Sequence, residues 1–396
     1  MTITKYINLL LTAIQNLNRF KAKTIAVVLP LTISMSVISF MMFTRGGFIK
    51  DTLIAEKFLP DITVQSTEAG RVAKISTDMI EKFGGIPHIK KIIPRVWGYI
   101  PLNIDDTDIS YTLMGLDLDK IDYHKHLPWT LEQGFFLTKG DKNKAVLGEG
   151  CALSLNASVG DTLNIEDTLG NTGQFKLTGI LGNTVQVYST DLILVSIEDA
   201  RQFFGYKKNE ASDLLIYVDD FQSADKIAWE ITTTFPNTRV LTAKALTNLV
   251  IEAFGRRGGT FQMMWLILLV TLLLILWAQT AHISVDMSKE IGILKATGWL
   301  TSDIIIMRMM ESLVIGLTGT SVGILIGFIY GLMGTPGISG YCIGCASIYP
   351  KFPVPVHCDI QSLLILSIMG VVPIMVISAL PSWLAGIIDP DVAIRK

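Results

Sequence analysis

The sequence predicts a polytopic α-helical membrane protein with four transmembrane helices and a large α+β extracytoplasmic domain between the first and the second helix. Three observations predict this class. Only 17% of the 396 residues are charged and 50% are hydrophobic, whereas soluble domains carry about 25% charged residues. Four uncharged segments each reach the length of about 20 apolar residues that a bilayer requires. Residues 45–260, between the first two segments, mix strand and helix patterns.

The predicted spans are residues 24–44, 261–281, 312–333 and 363–384. The last span carries Pro373 and Pro381, and we expect both to face other helices, because lipid cannot satisfy the carbonyl groups that a proline frees. A cleaved signal peptide is the alternative for the first span. Its apolar run is longer than the usual 7–15 residues, and no small-x-small site precedes Arg45, so a retained anchor is expected.

The distribution of basic residues predicts the orientation. Nine lysines and arginines lie in segment 1–23, loop 282–311 and tail 385–396, whereas loop 334–362 carries only Lys351. Short cytoplasmic segments are enriched in lysine and arginine. We therefore expect a multi-pass protein of the bacterial cytoplasmic (inner) membrane, with both termini and loop 282–311 in the cytoplasm. Arg256 and Arg257 oppose this assignment, but long translocated domains are largely exempt from the rule.

Two strand–helix–strand units predict an internal α+β repeat in the outer domain. The first comprises strand 61–66, a helix over 76–83 with a Ser76 N-cap, and strand 89–99; the second comprises strand 214–218, helix 223–235 and strand 238–241. Between them, residues 144–197 are rich in Gly and Thr and predict short antiparallel strands with turns at Gly160 and Gly170. Apolar residues at helical spacing after residue 45 and before residue 255 predict stalk helices.

Loop 282–311 contains an amphipathic segment, residues 289–299, reading KEIGILKATGW. Ile291, Leu294 and Thr297 share one predicted helical face, and Lys289, Glu290 and Lys295 form a polar side. The pattern alone is compatible with a helix lying on lipid headgroups and with a docking helix for a protein partner.

Residues 290–298 resemble the Glu-Ile-Gly-(Ile/Val)-Leu-(Arg/Lys)-Ala-(Leu/Ile)-Gly motif of FtsX/MacB-type (type VII) permeases of ABC transporters, and only Thr297 departs from it. Residues 381–395 resemble the Pro-x-x-x-Ala…Asp-Pro-x-x-Ala-Leu-Arg ending of this family, and residues 16–22 its Asn-Leu-x-Arg-x-Lys lead-in. The resemblance extends over the whole chain, from the first span to the tail.

The resemblance implies a coupling helix at 289–298 that docks into a cytoplasmic ATPase. The implied ATPase-coupling residues are Lys289, Glu290, Ile291, Gly292, Leu294, Lys295, Ala296 and Gly298. The outer repeats would correspond to the MacB-like porter subdomain and strands 140–210 to the inserted sabre subdomain. ATP-driven ATPase dimerisation would move the stalks and the outer domain, which is mechanotransmission. An extracytoplasmic or membrane substrate would be handled without crossing the bilayer.

No nucleotide site is expected in this chain, because it contains no Gly-Lys dipeptide and the G-x-x-x-x-G-K-[ST] loop requires one. ATP and Mg would be bound by a separate partner ATPase, so the chain itself is expected to be a permease subunit rather than an enzyme. In this it differs from MacB, whose ATPase is fused. Membrane lipid and an extracytoplasmic protein are further expected partners. The net charge of −2 excludes a basic surface for nucleic acid.

The third span carries a stripe of small residues at spacings of three and four: Gly316, Gly319, Gly323, Gly327 and Gly331. Such stripes let two helix backbones approach closely. The sequence leaves open whether this face packs within the chain or across a dimer. Four spans are few for a transporter, so a second permease subunit, the same or a related chain, is expected.

The four cysteines lie outside the predicted spans. Cys151 falls in the large domain, and Cys342, Cys345 and Cys358 fall in loop 334–362 beside His357. A structural disulfide, a metal or redox site built on the C-x-x-C pair and His-Cys, and no special role all remain open. This loop is absent from the family pattern, so it is the expected place for a specialised, metal-linked or haem-linked substrate.

Other chemistry-bearing motifs are weak. His124 and His126 are typical of a solvated loop. Ser223 and Lys226 spell S-x-x-K but lack the accompanying S-D-N and K-T-G, and Ser223 fits a helix N-cap. Glu311 opens the third span, where we expect it at the membrane interface. With no catalytic constellation, a membrane-anchored enzyme is disfavoured, and an FtsX-like activator of a cell-wall hydrolase is the alternative function.

Overall fold

The computed structural model describes residues 2–104, 107–119, 130–167, 170–182, 186–254, 297–333 and 355–387, together with single positions within 263–274 and residues 293–295. The chain divides into two compact units. The membrane unit comprises residues 1–47, 256–333 and 356–396, and the outer unit comprises residues 48–255 and 334–355.

The α-helices are numbered here in chain order among the described residues. They are α1 (Thr2–Arg19), α2 (Lys21–Glu56), α3 (Met79–Phe83), α4 (Glu149–Leu155), α5 (Gln186–Ser189), α6 (Ile197–Phe203), α7 (Ala224–Thr234), α8 (Ala243–Phe254), α9 (Thr301–Leu332) and α10 (Ile360–Ile387). A short 3₁₀ helix, Phe221–Ser223, precedes α7.

The strands are numbered in the same way. They are β1 (Ile62–Glu68), β2 (Arg71–Ala73), β3 (Ile75–Ser76), β4 (Ile89–Ile104), β5 (Thr107–Leu116), β6 (Leu131–Gly134), β7 (Lys144–Leu147), β8 (Thr162–Glu166), β9 (Thr172–Leu181), β10 (Leu192–Ser196), β11 (Glu210–Ala211), β12 (Asp213–Val218) and β13 (Thr238–Thr242).

Three helices within the described residues are long and apolar enough to cross a membrane: Lys21–Glu56, Thr301–Leu332 and Ile360–Ala379. Their outward faces carry large apolar side chains at helical spacing, such as Ile360, Leu364 and Ile368 of α10, as a lipid-facing helix requires. The predicted second span, 261–281, lies mostly outside the described residues, and its described positions are helical.

Helix α9 begins at Thr301, eleven residues before the predicted span. The helix therefore includes residues 301–311, which the predicted bounds place in the cytoplasmic coupling loop 282–311. The physical reason is that helix formation continues beyond the uncharged run: Arg308 pairs with Glu311 one turn later, with Nη1 and Oε2 2.7 Å apart, and such pairs support a helix surface.

The glycine stripe of α9 packs against α2 within this chain. A Cβ at Gly319 would lie 2.7 Å from Leu31, and one at Gly323 would lie 2.8 Å from the Thr32 carbonyl oxygen. A Cβ at Gly327 would lie 2.5 Å from the carbonyl oxygen of Ser36. Positions advance together along both helices, so α2 and α9 are parallel.

Helix α10 runs antiparallel to α9. The Ser312 hydroxyl of α9 donates to the Ser378 hydroxyl of α10 at 2.6 Å, whereas Gly316 faces Val371, with a Cβ-to-Cα distance of 3.2 Å. The residue numbers of the contacting pairs increase along α9 as they decrease along α10. A polar side-chain pair and a close glycine contact are the two devices that hold helices together in lipid.

The outer unit confirms the predicted repeat. Strands β13, β1, β12 and β4 are neighbours in that order in one sheet, with antiparallel pairing throughout. The two strand–helix–strand units, β1–α3–β4 and β12–α7–β13, therefore interleave into a split βαβ arrangement of the ferredoxin-like type.

Strand β4 joins this repeat to the inserted strands. Its first half, up to Arg95, pairs with β12, and its second half, from Val96, pairs with β5. The sheet continues β5–β10–β7–β9–β6, with β8 on β9. The β5–β10 and β7–β9 ladders are parallel, so the prediction of purely antiparallel strands over 144–197 is wrong. The connection from β7 to β9 runs through α4 and β8, as a parallel pair requires a crossover.

Two predicted local details can be compared with the structure. Gly160 and Gly170 lie in turns with φ of +107° and +84°, as predicted. The helix expected over 76–83 is shorter: α3 begins at Met79, and Ser76 ends β3. The hydroxyl of Ser76 accepts a hydrogen bond from the Asp78 backbone amide (3.2 Å), which forms a turn before the helix.

Candidate functional site

The predicted coupling segment ends in a well-defined helix terminus. The backbone amides of Thr297 and Gly298 donate to the carbonyls of Ile293 and Lys295, both at 3.0 Å, and the Trp299 amide donates to the Leu294 carbonyl at 3.1 Å. Gly298 has φ of +94°. This is the Schellman pattern, in which a left-handed residue closes the helix, and it explains why the motif ends in glycine.

One side of this segment is anchored on the chain itself. Leu294 and Trp299 pack against a cluster formed by Leu9 and Ala13 of α1 and Met307 of α9. The anchored side fixes the orientation of the helix terminus. Leu294 is therefore a support residue for the segment rather than part of its outward face.

The residue just before Leu294 exposes an apolar side chain that is not among the predicted coupling residues. Ile293 is 58% exposed, and Thr297 is also exposed. Leu294 and Thr297 differ in exposure, because Leu294 packs onto α1 and α9, and the helical face predicted for them with Ile291 stays a prediction. A signal in the sequence could have found Ile293. Gly298 ends the helix and turns Trp299 back toward Leu294, which assigns Leu294 to the supporting side and leaves Ile293 exposed. Lys289, Glu290, Ile291, Gly292 and Ala296 lie outside the described residues.

Glu311 is not at a helix start and is not exposed. It lies within α9 and is only 7% exposed. Asn16 of α1 donates from Nδ2 to Oε1 at 3.0 Å, and Arg308 donates from Nη1 to Oε2 at 2.7 Å. Because α1 covers this part of α9, the carboxylate is buried and paired, and its expected position at the membrane interface stays a prediction.

The glycines of the third span are used for packing within the chain. Gly319, Gly323 and Gly327 face α2, and Gly316 faces α10, whereas Gly331 lies against Val356, with a Cβ-to-Cγ2 distance of 2.8 Å. Since these contacts occupy the stripe, a dimer interface would use other faces of α9.

The cysteine motif is only partly described. Cys358 has a free thiol that packs against the apolar core of the membrane unit, and burial raises its pKa. The His357 backbone amide donates to the Phe43 carbonyl (3.0 Å). Cys342 and Cys345 lie outside the described residues. Among the described residues, no three His, Cys, Asp or Glu side chains form a metal-binding group.

A second set of titratable groups is buried in the outer unit. Tyr111 and Cys151 are fully buried, and burial raises the pKa of Tyr111 to about 12 and that of the Cys151 thiol well above its usual range. Burial also raises the pKa of Asp191, whose Oδ2 accepts from Thr112 Oγ1 (3.0 Å). A protonated, buried thiol is inert, so this set is structural.

The S-x-x-K motif has an ordinary structural position at the start of α7. Ser223 occupies the N-cap position of α7, but its hydroxyl donates to the Asp220 carbonyl at 2.6 Å and makes no capping bond. His124 and His126 lie outside the described residues.

Comparisons with known proteins agree with this arrangement. Residues 24–234 match the family model described as the MacB-like periplasmic core domain, and residues 261–390 match the FtsX-like permease C-terminal model. An uncharacterized ABC transporter permease of Methanocaldococcus jannaschii is 27% identical over 220 residues, which are 52% of each chain. The chain thus spans about half the length of this relative.

Two solved structures are similar to the outer part of the chain. The periplasmic region of MacB from Actinobacillus actinomycetemcomitans is 10% identical, with a TM-score of 0.36, over 50% of this chain and 95% of that one. The extracellular domain of YknZ, a noncanonic ABC-type transporter from Gram-positive bacteria, is 12% identical, with a TM-score of 0.33, over 46% of this chain and 99% of that one.

The two family models together cover both the outer unit and the membrane helices. The apolar helices identify a membrane protein with an α+β extracytoplasmic domain. The chain belongs to the FtsX/MacB-type family of ABC transporter permeases.

Proposed function

We propose that this chain is a permease subunit that couples ATP hydrolysis in a separate cytoplasmic ATPase to movement of its extracytoplasmic domain. It acts in the bacterial cytoplasmic membrane, with both termini in the cytoplasm and a second permease subunit beside it. ATP and Mg are bound by the ATPase. Its substrate is extracytoplasmic or membrane-embedded, and the chain does not carry it through the bilayer.

The observation that carries this proposal is the two-sided segment 293–299. Leu294 and Trp299 are packed onto α1 and α9, whereas Ile293 is exposed. An exposed apolar side chain on a fixed support suits a protein interface, where apolar anchors contribute most of the binding energy. A segment lying on lipid would gain less from such a rigid support.

Helix directions support a fourth span. Helices α2 and α9 are parallel, because Gly319 faces Leu31 and Gly327 faces Ser36. Helix α10 is antiparallel to α9, because Ser312 meets Ser378 and Gly316 meets Val371. If α2 and α9 both cross the membrane in the same direction, the chain between them must cross back an odd number of times. Segment 261–281 supplies one such crossing.

Helix lengths support the stalk. At 1.5 Å per residue, the 36 residues of α2 span about 54 Å, compared with about 30 Å for the bilayer core. The excess lies beyond Thr44, where the helix continues to Glu56. A continuous helix that leaves the membrane transmits a displacement of its membrane end.

Co-purification tests the proposal. Tagged chain is crosslinked in native membranes, and the bound proteins are identified for the wild type, for Ile293→Glu and for the double variant Glu290→Lys, Gly298→Trp. Leu153→Glu is the matched control, because Leu153 of the outer unit is equally exposed at 58%. We expect an ATPase with the wild type and the control only. No ATPase with the wild type contradicts the proposal.

A further inference from the structure

Glu311 connects the N-terminal helix to the third predicted span. Its carboxylate accepts from Asn16 of α1 (3.0 Å) and from Arg308 of α9 (2.7 Å). A buried carboxylate is costly unless it is paired, and here both oxygens have partners. This pairing fixes the rotation of α1 relative to α9.

The contact between α1 and α9 is continuous along one helical face. Lys5 pairs with Asp303 at 2.7 Å, Leu9 and Ala13 pack with Met307, and Asn16 reaches Glu311. Positions rise together on both helices, so α1 is parallel to the first three turns of α9. An ion pair at one end and a charged hydrogen bond at the other enclose an apolar centre.

The same apolar centre holds the ATPase-coupling segment. Leu294 and Trp299 pack on Leu9, Ala13 and Met307. A partner that pushes on Ile293 therefore pushes on α1 as well as on α9. The N-terminal helix is part of the support beneath the docking surface.

Helical hydrogen bonding continues from α1 into α2. The Phe20 amide donates to the Asn16 carbonyl and the Thr24 amide donates to the Phe20 carbonyl, both at 3.0 Å. The Thr24 hydroxyl also donates to the Leu17 carbonyl (3.0 Å). A displacement of α1 is therefore passed to α2, which extends to Glu56.

We propose that Glu311 is a positioning residue for coupling: through Asn16 it ties α1 to α9, so that movement of segment 293–299 is passed to the first spanning helix. This inference rests on the proposed function. It assigns α1 the role of a transmission arm, with the Asn16–Glu311 hydrogen bond as its attachment point.

The test uses the full chain with its captured ATPase in lipid nanodiscs. Two quantities are measured: the amount of ATPase bound, and the change in amide hydrogen exchange of residues 45–56 on trapping with ATP and vanadate. Asn16→Leu removes the hydrogen bond, and Glu311→Gln keeps an acceptor oxygen for Asn16. Ser312→Ala is the matched control. Ser312 is as buried as Glu311, but its cross-helix partner is Ser378 on α10 rather than a residue of α1.

We expect Asn16→Leu to bind as much ATPase as the wild type. The ratio of the amide exchange rates of residues 45–56 without and with ATP and vanadate should fall by about tenfold, which is the effect of losing a hydrogen bond to a charged group. Ser312→Ala should keep the wild-type ratio, and Glu311→Gln, which replaces a charged hydrogen bond by a neutral one, should lie between the wild type and Asn16→Leu. If Asn16→Leu does not accumulate in the membrane, Asn16→Ser, which is too short to reach Glu311, takes its place with the same expected loss.

An unchanged exchange response in the Asn16 variant, with ATPase bound, would overturn the positioning role alone. Equal loss in Ser312→Ala would also overturn it, because the effect would then reflect general loosening of the helices. Failure of the wild type to bind any ATPase is a different result and contradicts the proposed function itself.

Discussion

Arg95 binds the carboxylate of Asp213 through two parallel hydrogen bonds, from Nε to Oδ1 at 2.9 Å and from Nη2 to Oδ2 at 2.6 Å. Asp213 is fully buried, and Trp97 Nε1 donates a third bond to it at 2.8 Å. The pair joins β4 to β12 where the repeat meets the inserted strands. The pair lies at the point where β4 changes its pairing partner from β12 to β5.

Removing the arginine should destabilise the outer unit strongly. Arg95→Leu leaves a buried carboxylate without its counter-ion, which costs about 3–5 kcal/mol. Chemical unfolding of the purified chain, followed by tryptophan fluorescence, measures the free energy. Lys139→Ala is the control, because its pair with Asp119 is solvent-exposed and exposed pairs contribute about 0–1 kcal/mol. Equal effects of the two variants would contradict the assignment.

The glycine stripe should tolerate no added carbon where α2 crosses it. In Gly327→Ala the new Cβ would lie 2.5 Å from the Ser36 carbonyl oxygen and would collide with Ser39 Oγ. Overpacking of this kind costs about 1–3 kcal/mol. Thermal stability of the chain in detergent measures the loss. Leu325→Ala on the exposed face of α9 should leave stability nearly unchanged; a similar loss there would argue against the α2 contact.

Gly298→Ala should weaken ATPase capture without unfolding the chain. Gly298 has φ of +94° and open space around its Cα, so alanine meets only backbone strain, worth about 1–2 kcal/mol for a left-handed residue. The strain loosens the Schellman end and releases Trp299. Gly140→Ala is the matched control, with φ of +85° and equally open space. Equally reduced ATPase capture in both variants would show that capture does not depend on this helix end, and would contradict the prediction.

Asp191→Asn should stabilise the outer unit at neutral pH. Burial raises the pKa of Asp191, so the folded chain keeps the carboxyl proton to higher pH than the unfolded chain. Above the folded pKa the buried group is ionised, and stability is therefore lost as pH rises through that pKa. Asparagine mimics the protonated form and can still accept from Thr112. Thermal unfolding should show a gain at pH 7 that disappears below the ordinary carboxyl pKa of 3.8.

Asp141→Asn should behave in the opposite way. Burial acts to raise the pKa of Asp141, but hydrogen bonds from Lys144 and Thr138 outweigh it and lower the pKa. The ionised form is therefore stabilising above the ordinary pKa, and that contribution is lost as pH falls through the folded pKa. A destabilised variant at pH 7 is expected, and a stabilised one would contradict the hydrogen-bond assignment.

Local patterns predicted the repeat of the outer unit well. Strand 214–218 and helix 223–235 correspond to β12 and α7 within one residue at each end. Helix α7 buries one face at helical spacing, and β12 is a short, largely apolar run whose first four residues are all buried. The parallel β5–β10 and β7–β9 ladders were not predicted. Pairing direction depends on which distant strands meet, and alternation carries no information about that.

Contacts with residues distant in the sequence determine the surroundings of Glu311, Ile293 and Leu294. The carboxylate of Glu311 accepts a hydrogen bond from Asn16, which lies 295 positions away in the sequence. Ile293 and Leu294 are adjacent apolar residues, and only the contact of Leu294 with Leu9 and Met307 distinguishes the supporting side from the outward side. The Asn16–Glu311 contact leaves no local signature in the sequence, whereas Gly298 is a local sign that Trp299 lies beside Leu294.

Site-specific photocrosslinking from position 293 tests the central claim most directly. A photoreactive phenylalanine analogue replaces Ile293, or, as the control, the equally exposed Leu153 of the outer unit, and membranes are irradiated before purification. The account predicts that position 293 forms a covalent adduct with an ABC ATPase and that position 153 does not. Adducts of position 293 with lipid alone would contradict it, because the segment would then lie on the membrane surface instead of docking a partner.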